Sequence, residues 1–145
     1  MKYTETYLSD LNYITHIPNL KQLDNSSILI TGSTGLIGSC LADMLLSYAS
    51  LSDTHLQVTL AGRDTDKVQQ RFSRHWSTKQ FETVRFEASK PLTFDNHFDY
   101  IIHCASNAHP KAYSTEPAET IMSNVLGTRN LLELSKTIGT LKFLY

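Results

Sequence analysis

Two cysteines, one tryptophan and four prolines are all that the 145 residues hold of these types, and no apolar run approaches the roughly 18 residues of a membrane-spanning helix. So few cysteines exclude a disulfide framework and a thiolate zinc site. Cys40 and Cys104 have no further ligand at a metal-like spacing and read as small apolar core residues. Charge of one sign is lacking too. Lys and Arg number 13 against 14 Asp and Glu, a net charge of -1, which supplies no field to attract nucleic acid or an anionic membrane. The opening Met-Lys-Tyr-Thr-Glu-Thr-Tyr has no apolar signal core, so a cytoplasmic location is expected. Internal repeats and low-complexity tracts are missing as well. What remains is 41% hydrophobic and 19% charged, enough for one core.

The most informative stretch is 28–46, Ile-Leu-Ile-Thr-Gly-Ser-Thr-Gly-Leu-Ile-Gly-Ser-Cys-Leu-Ala-Asp-Met-Leu-Leu. An apolar triplet, Ile28 to Ile30, suits a strand buried on both faces. A turn with glycines at 32, 35 and 38 follows, and then Leu36, Ile37, Cys40, Leu41, Met44, Leu45 and Tyr48 fall on one side of a helical period, predicting that this face lies on the sheet. Gly32 permits a sharp exit from the strand, Gly35 lets backbone approach a pyrophosphate, and Gly38 lets the helix pack closely. The amides at the helix start then form an anion site, for which a dinucleotide pyrophosphate is the natural occupant. A P-loop is disfavoured, because no Gly-Lys-Ser or Gly-Lys-Thr follows the turn.

The spacing Thr31-Gly32-x-x-Gly35-x-x-Gly38 resembles the extended branch of the short-chain dehydrogenase/reductase superfamily, the NAD-dependent epimerase/dehydratase family. Three later segments share the resemblance in the same order. Glu87-Ala88 match the acidic-apolar pair that in the family lies by the adenine, and Glu87 reads equally as a loop charge. His103-Cys104-Ala105-Ser106 resembles the second cofactor motif, where small residues let backbone approach the dinucleotide. Asn124-Val-Leu-Gly127-Thr-Arg-Asn130 resembles the mid-sheet helix, in which Asn124 would face the cofactor; a helix-interior asparagine without function is the other reading. The fold implied is a Rossmann-like, doubly wound parallel α/β sheet, truncated at about the fifth strand. Residues 1–26 form a short helical extension and 27–145 an incomplete NAD(P)-binding domain. Cofactor contacts are expected from Gly32, Ser33, Thr34, Gly35, Leu36, Ile37, Gly38, Arg63, Glu87, Ala88, Cys104, Ala105, Ser106 and Asn124.

Taken in order, Tyr3, Tyr7, Leu8, Leu11 and Ile14 have helical spacing up to Pro18 and predict a short amphipathic helix on the outside of the sheet, or else a partly ordered extension. Leu56 to Ala61 is the second strand. At its end Gly62 stands where an NAD-type acid is usual in the family and Arg63 follows, which leans the cofactor choice from NAD towards NADP. Arg63 reads otherwise as a solvated charge, and Asp64 as a ribose ligand or the N-cap of the next helix. That helix is predicted over 64–78 with Val68, Phe72 and Trp76 inward, and Phe81 to Phe86 forms an edge strand. Pro91 to His97 reads as a loop, 98–106 as a buried strand, 107–115 as a loop on the cofactor side. His103 reads as a structural histidine rather than a catalytic one, and His109 as no metal ligand. Pro117 opens a helix to Lys136 with Ile121, Val125, Thr128 and Leu132 on one face and Gly139 as its stop. Gly127 within it costs about 1 kcal/mol against alanine, which close approach of another backbone would explain.

In the family a serine or threonine and a Tyr-x-x-x-Lys pair follow the fifth strand. None of the tyrosines at 3, 7, 13, 48, 100, 113 and 145 has a lysine four positions later. The resemblance therefore implies the dinucleotide-binding half of a nucleotide-sugar oxidoreductase, expected to bind cofactor without turning over. The sugar nucleotide would be held only in a full-length form. The alternatives are a non-catalytic dinucleotide-binding sensor or scaffold, and a fold that has kept the turn but lost its ligand. Leu141, Phe143 and Leu144 on an uncovered fifth strand would favour a homo-oligomer through that edge.

Overall fold

The computed structural model describes residues 3–52, 54–78, 81–88, 90, 94, 96–107 and 110–145, the side chains of 76–78 excepted. Its centre is β1 (Ser27–Thr31), whose alternating side chains feed two cores. Ile28 and Ile30 pack with Leu45, Leu46 and Tyr48 of α2 (Leu36–Leu51) and with Val58 and Leu60 of β2 (Gln57–Gly62). Leu29 points the other way, towards Ala61, Phe86, Phe98, Ile101, Leu131 and Leu134. A strand covered on both faces by helices is the reason for the uninterrupted apolar triplet.

The five strands are parallel in the order β3-β2-β1-β4-β5, with β3 at Phe81–Arg85, β4 at Tyr100–His103 and β5 at Lys142–Leu144. The order reverses between β1 and β4, the place where such sheets open a ligand crevice beyond their carboxyl ends. β4 is shorter than the stretch 98–106 reads. Asp99 stands just before its start and is pinned to β1, accepting hydrogen bonds from the Ser27 amide (2.8 Å) and hydroxyl (2.9 Å). Between β3 and β4 no helix occurs among the described residues, and Pro91 lies outside them.

Several helical faces differ from their sequence reading. The buried residues of α2 are Gly38, Ser39, Ala42, Asp43, Leu45, Leu46, Tyr48 and Ala49, whereas Leu36 is 81% exposed and Ile37 and Cys40 are also exposed. The cause is close approach: a Cβ on Gly38 would lie 2.4 Å from the Gly32 carbonyl oxygen, so small residues face the sheet and the large ones of the first turn face out. Cys40 is thus no core residue, while Cys104 is half-buried.

The first helix, α1 (Glu5–Thr15), packs on α2 rather than directly on the sheet, and a 3-10 segment (Pro18–Leu23) leads into β1 with Leu20 and Leu23 against the first core. The predicted helix at 64–78 is divided. Asp64 caps α3 (Thr65–Arg71), and the chain then tightens into a 3-10 segment (Ser73–Thr78), where the His75 amide bonds the Phe72 carbonyl at 2.9 Å. The side chain of Trp76 lies outside the described ones. Part of the expected 107–115 loop is helical, α4 (Pro110–Thr115), begun by a proline suited to a first turn and closed by Ser114 and Thr115 hydroxyls on the Pro110 and Lys111 carbonyls. The last helix, α5 (Pro117–Ile138), stops at Gly139 in the left-handed region (φ 73). It buries Thr120, Gly127, Leu131 and Leu134, and the Ile121, Val125 and Leu132 face is exposed. Again a glycine sets the rotation, since a Cβ on Gly127 would lie 2.7 Å from that of Ala88.

Candidate functional site

Beyond β1 and β4 lies an open cleft of about 400 Å³, lined by the glycine loop, the ends of β2, β3 and β4, and the start of α5. Its floor is a contact between backbones. Gly32 has φ +66, and a Cβ there would stand 2.6 Å from Cys104 and Ala105 main-chain atoms, so only glycine fits. The turn closes with the Gly35 amide on the Gly32 carbonyl (2.9 Å). Gly35 then caps α2 without any side-chain hydrogen bond, which leaves the amides of the first turn for another acceptor.

Behind the floor, the Thr31 hydroxyl accepts the Ala105 amide (3.3 Å) and lies 2.6 Å from Nδ1 of His103. Either group can donate in this contact, depending on which ring nitrogen carries the proton, and the other ring nitrogen is Nε2. That atom has no hydrogen-bond partner among the described residues. Burial pushes the imidazole pKa down, and Phe86, Phe143 and Tyr145 surround the ring. His103 holds the strand end in place and does not face the cleft, as the structural reading requires. Burial also pushes the Cys104 thiol up, away from the reactive thiolate.

At the other end stand Gly62, Arg63, Phe86, Glu87 and Ala88. Asp64 is turned away from the cleft as an N-cap, accepting the Lys67 amide (3.1 Å) with the Lys67 ammonium 3.3 Å off. Its pKa is lowered, chiefly by that amide. Glu87 pairs with Lys90 at 2.8 Å, and this bond principally holds its carboxyl below the ordinary range. Asn130 of α5 clamps the same segment by donating to the carbonyls of Ala88 (3.3 Å) and Lys90 (3.1 Å).

The residues that sequence reasoning picked out separate into three groups. Gly32, Thr34, Gly35, Arg63, Glu87, Ala88, Cys104, Ala105 and Ser106 line one cleft. Ser33 and Gly38 are buried beneath the loop, with the Ser33 hydroxyl on the Ala61 carbonyl (3.3 Å), and Asn124 stands behind the wall, accepting the Ser106 hydroxyl at 3.3 Å. Leu36 and Ile37 are exposed at the helix start. Sequence reasoning missed Phe86, Asn107 and Ser123 as lining, and Asn130 as the clamp. Only Asn130 left a signal, its place within the Asn124–Asn130 run.

No group of three or more His, Cys, Asp and Glu able to hold a metal occurs among the described residues, and His109 lies outside them. Nor is any helix of the described residues long and apolar enough to cross a membrane. The cleft sets an uncapped helix start beside a floor of backbone, an arrangement able to receive an anion.

The chain is 32% identical over 139 residues to UDP-glucuronic acid decarboxylase 1 of Danio rerio, a match covering 95% of this chain and 31% of that protein. It thus spans under a third of the length of that curated relative. Among solved structures, UDP-glucuronic acid 4-epimerase of Bacillus cereus, in complex with UDP-4-deoxy-4-fluoro-glucuronic acid and NAD, superposes with a TM-score of 0.62 at 22% identity over 81% of this chain and 38% of that one. Gre2 of Candida albicans, in complex with NADPH, does so at 0.60 with 19% identity over 80% of this chain and 34% of that one. Both show the fold. Residues 28–145, from the first residue of the buried β1 triplet through β5, match one family along their whole length, and on that ground the chain belongs to the NAD dependent epimerase/dehydratase family.

Proposed function

We propose that residues 27–145 bind a dinucleotide across the cleft, with 1–26 as an anchored extension. The observation that carries this reading is the uncapped start of α2 facing a floor from which side chains have been removed at Gly32 and Gly35. The pyrophosphate lies on the amides of Leu36 and Ile37 at the start of α2, the adenosine end by Arg63, Glu87 and Ala88, and the nicotinamide end by Cys104, Ala105, Ser106 and Asn107. Asn124 positions the Ser106 hydroxyl. The bound cofactor supplies hydride transfer. Arg63 at the end of β2, with Asp64 committed to its own helix, favours NADP(H) over NAD(H).

The sequence relative is a UDP-glucuronic acid decarboxylase, and the proposed substrate class is accordingly a nucleotide-sugar, acted on by a longer form. This chain by itself binds cofactor. Exposed Leu141, Leu144 and Tyr145 on the β5 edge further support self-association there, and a strictly monomeric mass by light scattering would count against it.

The test of the central reading is calorimetric titration with NADPH and with NADH. Saturable binding that Gly35→Asp abolishes, through a carboxylate placed in the anion site, is the expected result. Binding undiminished by that substitution would place the ligand elsewhere.

A further inference from the structure

The cationic groups at the adenosine end are unevenly engaged. Lys67 is paired with Asp64 (3.3 Å) and Lys90 with Glu87 (2.8 Å), so both acids of this rim already have a lysine. Arg63 and Arg85 form no ion pair with a described residue, and both are exposed. They are also neighbours. The β2–β3 register sets Gly62 directly opposite Arg85, so the residue that follows Gly62 and the last residue of the edge strand leave the same corner of the sheet. Gly62 contributes no side chain between them. The carboxyl of Glu87, which lines the cleft, is lowered chiefly by its bond to Lys90 and to a smaller extent by the charges of Arg85 and Arg63, in keeping with both guanidinium groups lying near that wall.

Two guanidinium groups at adjacent strand ends, neither ion-paired with a described residue and both beside acids that already hold a lysine, make a local excess of positive charge suited to a dianionic phosphate monoester. We infer that Arg85 is a second specificity-determining residue, which together with Arg63 grips the 2′-phosphate of an NADP-type dinucleotide between the ends of β2 and β3. The inference rests on the NADP reading above and extends it to a residue of the edge strand that cofactor-choice arguments from the β2 end do not reach. Each phosphoryl group of the bridging pyrophosphate carries only one negative charge. A ribose hydroxyl carries none, so NADH gains little from this corner.

The experiment measures the dissociation constants of NADPH and NADH for the chain and for Arg63→Ala and Arg85→Ala, with thermal melts as a folding control. Arg85→Ala should weaken NADPH about tenfold or more and leave NADH within about twofold, the loss expected of one charge-assisted contact. The steepness of NADPH binding against salt should fall in the variant, since one charge fewer meets the phosphate. If Arg85→Ala leaves NADPH binding intact while Arg63→Ala weakens it, Arg85 is overturned and the NADP reading stands. Equal weakening of both nucleotides by Arg85→Ala would show a structural role and overturn the inference as well. A chain that prefers NADH and is indifferent to both substitutions, or that binds neither nucleotide, overturns the reading and the inference together.

Discussion

The start and the middle of α2 solve opposite problems. At its start, Gly35 offers no side-chain cap, Gly38 no side chain at all, and Leu36 and Ile37 stand in solvent. Scarcely more than a turn after Gly38, Asp43 has no exposure and is surrounded by the hydroxyls of Tyr3 (2.7 Å) and Tyr7 (2.9 Å), the Arg71 guanidinium (2.5 Å) and the His75 ring (3.5 Å). The start leaves donors open, and the middle surrounds one carboxylate with donors. A site for an incoming anion needs amides without partners, whereas a buried carboxylate is tolerable only when its partners are in place. The same helix joins the cleft to the N-terminal extension, with Arg71 and Arg74 against the Tyr3 ring as a further tie.

The largest effect should come from emptying the filled middle. Asp43→Ala removes the shared acceptor of both tyrosines and the carboxylate facing Arg71, whose side chain is only 12% exposed, and should cost about 3 kcal/mol or more in urea unfolding. The sharper form of this test is selectivity. At temperatures where the variant is folded, NADPH affinity should be near that of the parent chain, and a collapse of affinity would mean that start and middle are not independent.

At the open start the corresponding change is Gly38→Ala. The added methyl would sit 2.4 Å from the Gly32 carbonyl oxygen, with no flexible side chain to give way, so about 2 kcal/mol of stability should be lost. Here cofactor binding should go too, because the displaced atoms are those of the loop. Loss of stability with binding intact would show that the loop geometry is not what holds the ligand.

Acid should distinguish the two without mutation. Burial alone would raise the Asp43 pKa, but hydrogen bonds from His75, Arg71, Tyr3 and Tyr7 outweigh it and hold the group at about 2, against an ordinary 3.8. A carboxyl depressed in the folded state stabilises fully above its unfolded pKa, and this contribution, on the order of 2 kcal/mol, is lost as pH falls from about 4 through about 2. Tyr3 gives the opposite arm: burial chiefly, then the Asp43 carboxylate, push it to about 12, so its contribution is present below about 10 and fades as pH rises towards 12. Unfolding curves of the parent chain and Asp43→Asn across these ranges should converge at low pH.

Why the cleft was legible in the sequence and the Asp43 cluster was not follows from the same contrast. The glycines of the loop each mark a place where a Cβ would strike backbone, so identity and spacing alone expose the geometry. Asp43 looked like any polar residue of an amphipathic helix, and its partners come from 28 to 40 positions away, a distance that periodicity cannot sense. The helical faces were legible only in part, for a related reason. On α2 the reading held for Leu45 and Tyr48 but not for Leu36, Ile37 and Cys40, and on α5 Ile121, Val125 and Leu132 face out, because close packing at Gly38 and Gly127 turns the glycine face inward. Gly139 as the helix stop, β3 as an edge strand and the close approach at Gly127 were all readable, because each rests on one local requirement of backbone geometry.

The smallest expected effect concerns Asp64, for which ribose ligand and helix cap were equal readings of the sequence. The observed bond to the Lys67 amide (3.1 Å) assigns it to the cap, and its ion pair with Lys67, 77% exposed, adds little. Asp64→Ser keeps a capping oxygen and should change stability by no more than about 0.5 kcal/mol, while Asp64→Ala should cost about 1 kcal/mol. Both should bind NADH as the parent chain does. A Ser variant as stable as the parent but weakened several-fold towards NADH would return Asp64 to the cleft, and the cofactor corner would then have an acid beside its two arginines.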